Sequence, residues 1–375
     1  DGVANITNFG TIRGTGAGGV DSGNNPNGAD GIAAGGGTII NNAGATIFGG
    51  SKGITIDDGS GGPGVAATII TNAGTIEGAG GTAISLSGNF NDTLTNSGTI
   101  RGNILMGGGD DTVIINGGTI TGNLDGGAGN DTLRFFASGT GTFSYSGNIT
   151  GFETVQVLGG LVSLTGTLSG STALTIAQGA TLMPRLGFTT GALTVNGTLA
   201  RADDGSLRTF NVTSYAQGAA GVWEVGVRNA TQFDRINASG TATLAGGAAL
   251  RPQLTADAAY IPHGTAFKVL TSSGLSVTPA SLVVVNTPGP LGFNVRQSGN
   301  DLELVANRNA SFYGAQASPA QSGVAGALDR LGQTAGVTDP ITGLIAALDT
   351  LANPAATSDV LRRLGPSSSA IQTLG

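Results

Sequence analysis

The chain has 375 residues, of which 68 are glycine, 39% are hydrophobic, only 10% are charged and none is cysteine. That much apolar content with so little charge excludes a disordered polar chain, and the absence of cysteine excludes a disulfide framework. The net charge of −7, with Lys52 and Lys268 as the only lysines, excludes the basic footprint that nucleic-acid binding needs.

A seven-residue pattern, apolar-x-Asn-x-Gly-x-Ile, opens the chain and recurs. It reads Ile6-Thr-Asn8-Phe-Gly10-Thr-Ile12, Ile70-Thr-Asn72-Ala-Gly74-Thr-Ile76, Leu94-Thr-Asn96-Ser-Gly98-Thr-Ile100 and Ile114-Ile-Asn116-Gly-Gly118-Thr-Ile120. A further copy, Ile40-Asn-Asn42-Ala-Gly44-Ala-Thr-Ile47, carries one extra residue. The Asn-to-Asn intervals are 34, 30, 24 and 20 residues. Most copies are followed by a second short alternating stretch, such as Gly53-Ile54-Thr-Ile56, Ala83-Ile84-Ser-Leu86, Asn103-Ile104-Leu105 and Asn123-Leu124. Period-two alternation marks strands with one buried face. A strand–turn–strand unit of about 20 residues cannot bury its own apolar face, so it must stack on its neighbours.

The expected fold is therefore all-β: a right-handed parallel β-helix of about ten coils, rising ~4.8 Å per coil. Asn8, Asn42, Asn72, Asn96 and Asn116 are expected to form a side-chain ladder at one corner. Gly10, Gly44, Gly74, Gly98 and Gly118 are expected to supply the left-handed backbone of the turns. Residues 15–31 and 57–65 are polar, Gly-rich insertions expected to project as loops. The alternation continues through Val155 and Val157, Val162 and Leu164, Leu174 and Ile176, and Leu193 and Val195.

The coil repeats are placed at 1–204, a denser β-rich cap at 205–307, and a linker at 308–375. Strands in the cap are expected at Leu207–Tyr215, Gly221–Val227, Phe233–Ala238, Ala266–Thr271, Leu282–Asn286, Gly292–Arg296 and Asp301–Val305. In the linker, Val324, Ala327, Leu328 and Leu331 fit a helical face, as do Ile341, Leu344, Ile345, Leu348 and Leu351, with a third group at Val360, Leu361 and Leu364. These short helices are expected to pack on something outside the chain.

The combination resembles the passenger segments of bacterial autotransporters. The Asn-x-Gly-x-Ile copies look like passenger coils, and Gly191-Ala-Leu-Thr-Val-Asn-Gly197 is similar to passenger-associated repeats. Phe233-Asp-Arg-Ile-Asn-Ala-Ser-Gly-Thr-Ala-Thr-Leu-Ala-Gly246, Gly264-Thr-Ala-Phe-Lys-Val-Leu270 and Gly299-Asn-Asp-Leu-Glu-Leu304 resemble the pertactin-like autochaperone region. Ala327-Leu-Asp-Arg-Leu331 and Leu344-Ile-Ala-Ala-Leu-Asp-Thr-Leu351 are similar to the segment leading into the translocator barrel. The resemblance implies a secreted chain, type V secretion, outer-membrane anchoring through a C-terminal translocator barrel, and a signal peptide. It also implies display at the cell surface, with host surface or matrix molecules, or copies of the chain on neighbouring cells, as partners. Adhesion or self-association is the expected role. A stalk carrying an N-terminal effector domain is the alternative, and a polysaccharide-active enzyme is a third reading.

One chemical motif stands out. [Asn/Asp]-Asp-Thr-[Leu/Val] occurs at Asn91-Asp92, Asp110-Asp111 and Asn130-Asp131, with the second aspartates 19 and 20 residues apart. Asp92, Asp111 and Asp131 should stack one coil apart, where like charges repel and a cation would relieve them. Gly126-Gly-Ala-Gly-Asn-Asp131-Thr-Leu also matches the Ca²⁺-binding nonapeptide. Two readings follow: a calcium ladder through Asp92, Asp110, Asp111, Asn130 and Asp131, or aspartates that hydrogen-bond their own turns. No cofactor is otherwise required. His263, the only histidine, reads as a turn residue, and Asp57-Asp58 and Asp203-Asp204 as turn acids, so no catalytic group is expected. Trp223, Phe135, Phe136, Phe143 and Phe152 read as core.

Overall fold

The computed structural model describes residues 2–16, 19–20, 26–137, 141–351 and 354–364. Parts of the 15–31 insertion and the end of the linker lie outside these. The described chain divides into two compact units: residues 1–200 with 210–221, and 201–209 with 222–375.

The first unit is a parallel β-helix. Strands Val3–Asn8, Gly36–Asn41, Thr68–Asn72, Thr93–Asn96, Thr112–Ile115, Thr132–Phe136, Thr154–Gly159, Ala173–Ile176, Thr189–Val195 and Thr209–Gln217 follow one another along one sheet. Each pairs in parallel with the strand one coil away. A second flank runs through Thr11–Gly14, Thr46–Gly49, Thr75–Leu86 and Thr99–Leu105. A third takes Thr142–Tyr145, Leu161–Leu164, Thr181–Pro184 and Thr198–Leu199.

Register turns the heptapeptide into columns. Ile6, Ile39, Ile70, Leu94, Val113, Leu133, Val155, Leu174 and Leu193 lie opposite one another in successive coils. Ile12, Ile47, Ile76, Ile100 and Ile120 form a second such column. Inside the stack these side chains are buried, and each contributes ~1.5–3 kcal/mol by leaving water. Ile6 and Ile12, in the first coil, have a neighbour on one side only and stay half-exposed. Phe135, Phe143 and Phe152 are core, as expected. Phe136 is not: it is 44% exposed, because strand alternation with Leu133 and Phe135 inward turns it outward.

In the second unit the pairing changes sense. Val222–Val227, Ala249–Leu254 and Val283–Val284 continue in parallel. Ala266–Thr271 instead pairs antiparallel with Asp301–Arg308, which forms a hairpin with Leu291–Ser298. Trp223 is fully buried. Of the expected strands here, Ala266–Thr271 has its bounds as read, while Leu282–Asn286 shrinks to Val283–Val284 and strands Thr241–Leu244 and Ala249–Leu254 are additional.

Four helices follow: α1 (Phe312–Gln316), α2 (Ser322–Thr334), α3 (Thr342–Asp349) and α4 (Pro354–Leu364). Most of their apolar residues pack within the chain and not on something outside it, although Leu331 and Leu364 stay exposed. Phe312, Tyr313, Ala325, Leu328, Ile345, Leu348 and Leu361 form one buried cluster with Tyr260 of the β-rich part. Arg308 fastens it: its guanidinium lies 4.4 Å over the Tyr260 ring, donates to Ile261 O at 2.8 Å and pairs with Asp349.

Candidate functional site

The polar side chains of the first unit form ladders at the corners of the coils. The innermost is an asparagine ladder. Asn8 Nδ2 donates to Asn41 Oδ1 at 2.9 Å, Asn41 Nδ2 to Asn72 Oδ1 at 2.8 Å, and Asn72 Nδ2 to Asn96 Oδ1 at 2.8 Å. The same three amides also donate to the carbonyls of Thr46, Thr75 and Thr99. All four asparagines are buried, and each amide is answered by its neighbours.

Two expected rungs are displaced. Asn41, not Asn42, sits opposite Asn8 and Asn72; the Asn42 side chain instead donates to Asn8 O. The turn after Asn41 holds two residues more than that after Asn8, not one, since Thr46 aligns with Thr11. Likewise Ile115, not Asn116, lies opposite Asn96, so the ladder stops there. Asn96 Nδ2 turns to the carbonyls of Gly98 and Gly117.

The expected left-handed backbone holds at two of the five glycines and not at the other three. Gly44 and Gly118 have positive φ, at 80° and 78°, but Gly10, Gly74 and Gly98 do not. Gly74 and Gly98 are required by close approach: a Cβ would lie 2.2 Å from Ala45 O and from Gly74 O respectively. At Gly10 a Cβ would meet nothing within 4 Å.

The acidic motif forms two further ladders that run in opposite directions. In the buried one, Asp92 Oδ1 accepts the main-chain N–H of Thr68 at 2.6 Å, Asp111 Oδ1 that of Asp92 at 2.7 Å, and Asp131 Oδ1 that of Asp111 at 2.7 Å. Glu153 Oε2 then accepts that of Asp131 at 2.7 Å. Each carboxylate reaches back one coil and satisfies the N–H of the residue at the equivalent corner. In the exposed ladder the sense is reversed: Asn91 Oδ1 accepts from Asp110 N at 2.9 Å, and Asp110 Oδ1 from Asn130 N at 2.9 Å. The dipeptide is thus a two-way clasp, its first residue bonding forward and its second backward. A fourth ladder, missed in the sequence, joins Asn103, Asn123 and Asn148 to Thr167 by the forward pattern. Its signal was the Asn that precedes Ile104, Leu124 and Ile149.

Asp92, Asp111 and Asp131 are 5%, 1% and 0% exposed. Burial is the leading cause that pushes their carboxyls up, Asp92 to about 6 and Asp111 to about 7 from 3.8, with Asp131 also raised. The neighbouring acids add to the rise at Asp111 and Asp131. One oxygen of each of those two, Oδ2, is buried without a hydrogen-bond partner. The turns beneath them, with positive φ at Gly107, Gly109, Gly127 and Gly129, stack coil on coil through Gly108 and Ala128. The aspartates therefore bond to the preceding coil and not to their own turns. Among the described residues, no three His, Asp or Glu side chains are grouped to hold a metal ion.

The other singled-out residues lie apart. His263 is in a turn and accepts Arg308 N–H at Nδ1, 3.1 Å away. Asp57 and Asp58 accept from Gly59, Ser60 and Gly62 within their loop, and Asp204 from Ser206. A shallow groove of about 740 Å³ between α3 and residues 229–231 and 256–260 is lined mainly by Ala, Gly and Thr. Its carboxylate, Asp257, pairs with Arg228. Searches against protein-family models and curated proteins returned no match to the chain.

Proposed function

We propose that the chain is a passenger segment of the autotransporter kind, displayed at a bacterial surface, where its coil stack serves adhesion or self-association. The observation that carries this reading is the in-register repetition of small polar side chains along the stack. Thr11, Thr46, Thr75, Thr99 and Thr119 occupy one column in successive coils, and Asn103, Asn123 and Asn148 another. Such columns offer donors and acceptors at ~4.8 Å intervals. Many weak contacts made at once give avidity that no single contact has. The antiparallel hairpin of the second unit supports the resemblance to an autochaperone region, because it interrupts the parallel edge of its own sheet.

The test uses the purified chain coupled to beads and, separately, displayed on cells. Bead clustering or binding to matrix proteins is expected, reduced by Thr75→Glu with Thr99→Glu, which places like charges one coil apart. Dispersed beads, together with cells that neither aggregate nor bind matrix, would overturn the reading.

A further inference from the structure

We propose that the buried Asp92–Asp111–Asp131 column is a proton-operated clasp that holds the coils from 92 to 153 closed when its carboxyls carry protons and loosens them when they do not. The geometry carries this. Three carboxyls stand one above another at equivalent corners, each tied by Oδ1 to the main chain of the preceding coil at 2.6 to 2.7 Å. The N–H bond forms in either protonation state, because Oδ1 accepts in both. The second oxygen does not have that freedom. Oδ2 of Asp111 and of Asp131 is buried and unpartnered, so a negative charge there has neither water nor a donor to spread onto.

The surroundings sharpen the effect. The charged groups that bear on Asp111 are Asp92, Asp110 and Asp131, and those on Asp131 are Glu153, Asp110 and Asp125; every one is an acid. Losing protons therefore puts like charges at successive corners. The same aspartates hold the main-chain N–H groups of the coil behind them, so repulsion between rungs pulls directly on the coil-to-coil bonds. Beyond the column the corner changes chemistry: Ser171 Oγ donates to Thr190 Oγ1 at 2.8 Å, a neutral pair that titration leaves unchanged. The coils at 173–195 are thus an internal control.

Native-state hydrogen exchange on the intact chain, corrected for intrinsic rates, tests this at about pH 5.5 and about pH 8. Segments 92–96, 112–115 and 132–136 should lose protection as pH rises, by about tenfold per pH unit for each proton released. Segment 173–195 should change little. In Asp111→Asn with Asp131→Asn the difference between segments should shrink to what Asp92 alone leaves. Infrared difference spectra of the unaltered chain give a readout that no variant can spoil: a protonated-carboxyl band should be present in the mildly acidic native state and fade through neutral pH. Equal protection at both pH values, or no such band, would overturn the proposal.

Discussion

Arg308 and Asp349 form an ion pair at 2.6 Å with both side chains 2% exposed, and this pair ties the last β-strand to helix α3. The guanidinium makes two bonds to the carboxylate, at Nη1 and Nη2, and a third to Ile261 O. Burial pushes the Asp349 carboxyl up, and Arg308 opposes that rise. Asp349→Ala leaves a buried cation without its partner, which costs about 3–5 kcal/mol. The expected outcome is loss of the helical cluster before loss of the sheets. Limited proteolysis should cut within 310–364 while the far-ultraviolet strand signal persists. Replacing both partners, Arg308→Met with Asp349→Leu, should recover most of the loss.

The asparagine ladder predicts an unequal response to one substitution at two positions. Asn72 has an asparagine on each side, so Asn72→Ile takes one acceptor from Asn41 Nδ2 and the donor from Asn96 Oδ1, both in the core, and costs about 2–4 kcal/mol. Asn96 already faces Ile115 on its far side. Asn96→Ile breaks one rung and the two longer bonds to the carbonyls of Gly98 and Gly117, and should cost less than Asn72→Ile. Urea denaturation of the two variants checks the order, which would be reversed or equal if the ladder did not carry the stabilisation.

Glycine substitutions separate close approach from backbone freedom. Gly98→Ala forces a methyl to within 2.2 Å of Gly74 O, and the coils must part. A loss of more than about 2 kcal/mol is expected. Gly10→Ala meets open space and has no left-handed φ, so it should stay within about 0.5 kcal/mol of the parent. Thermal melts of the pair suffice.

The acid column predicts a stability that falls as pH rises. The carboxyls of Asp92 and Asp111 hold their protons up to about 6 and about 7 in the folded chain, against 3.8 when exposed. Between those limits the native state binds more protons than the unfolded state, so its advantage is complete below 3.8 and is lost as pH climbs through the folded values. Melting temperature should therefore decline from mildly acidic to neutral pH and level off above. Asp111→Asn, whose amide oxygen still accepts Asp92 N–H, should flatten the decline and raise the melting temperature at neutral pH.

How much of this is legible in the sequence depends on what each feature is made of. The parallel β-helix is written in composition and period: Ile76 and Ile100, or Leu94 and Val113, are buried because alternation leaves no other place for them. The recurrence of Asp92, Asp111 and Asp131 at one-coil spacing predicts that they stack. What stays hidden is register wherever a turn changes length. Asn41 and Asn42 are neighbours with the same side chain, and Ile115 and Asn116 are equally placed to follow a strand; only pairing with the coil on each side chooses between them. A single inserted residue flips every inward side chain outward, so the core decides the register and the polar ladder follows.

The sequence by itself determined that short alternating strands must stack in parallel, since no coil can bury its own apolar face. The tertiary structure alone decided the direction of each ladder, the distinction between crowded and free glycines, and the covering of the helices by Tyr260 and Arg308. These depend on which backbone atoms of a neighbouring coil or loop arrive within about 3 Å, a distance set by packing between segments far apart in the chain.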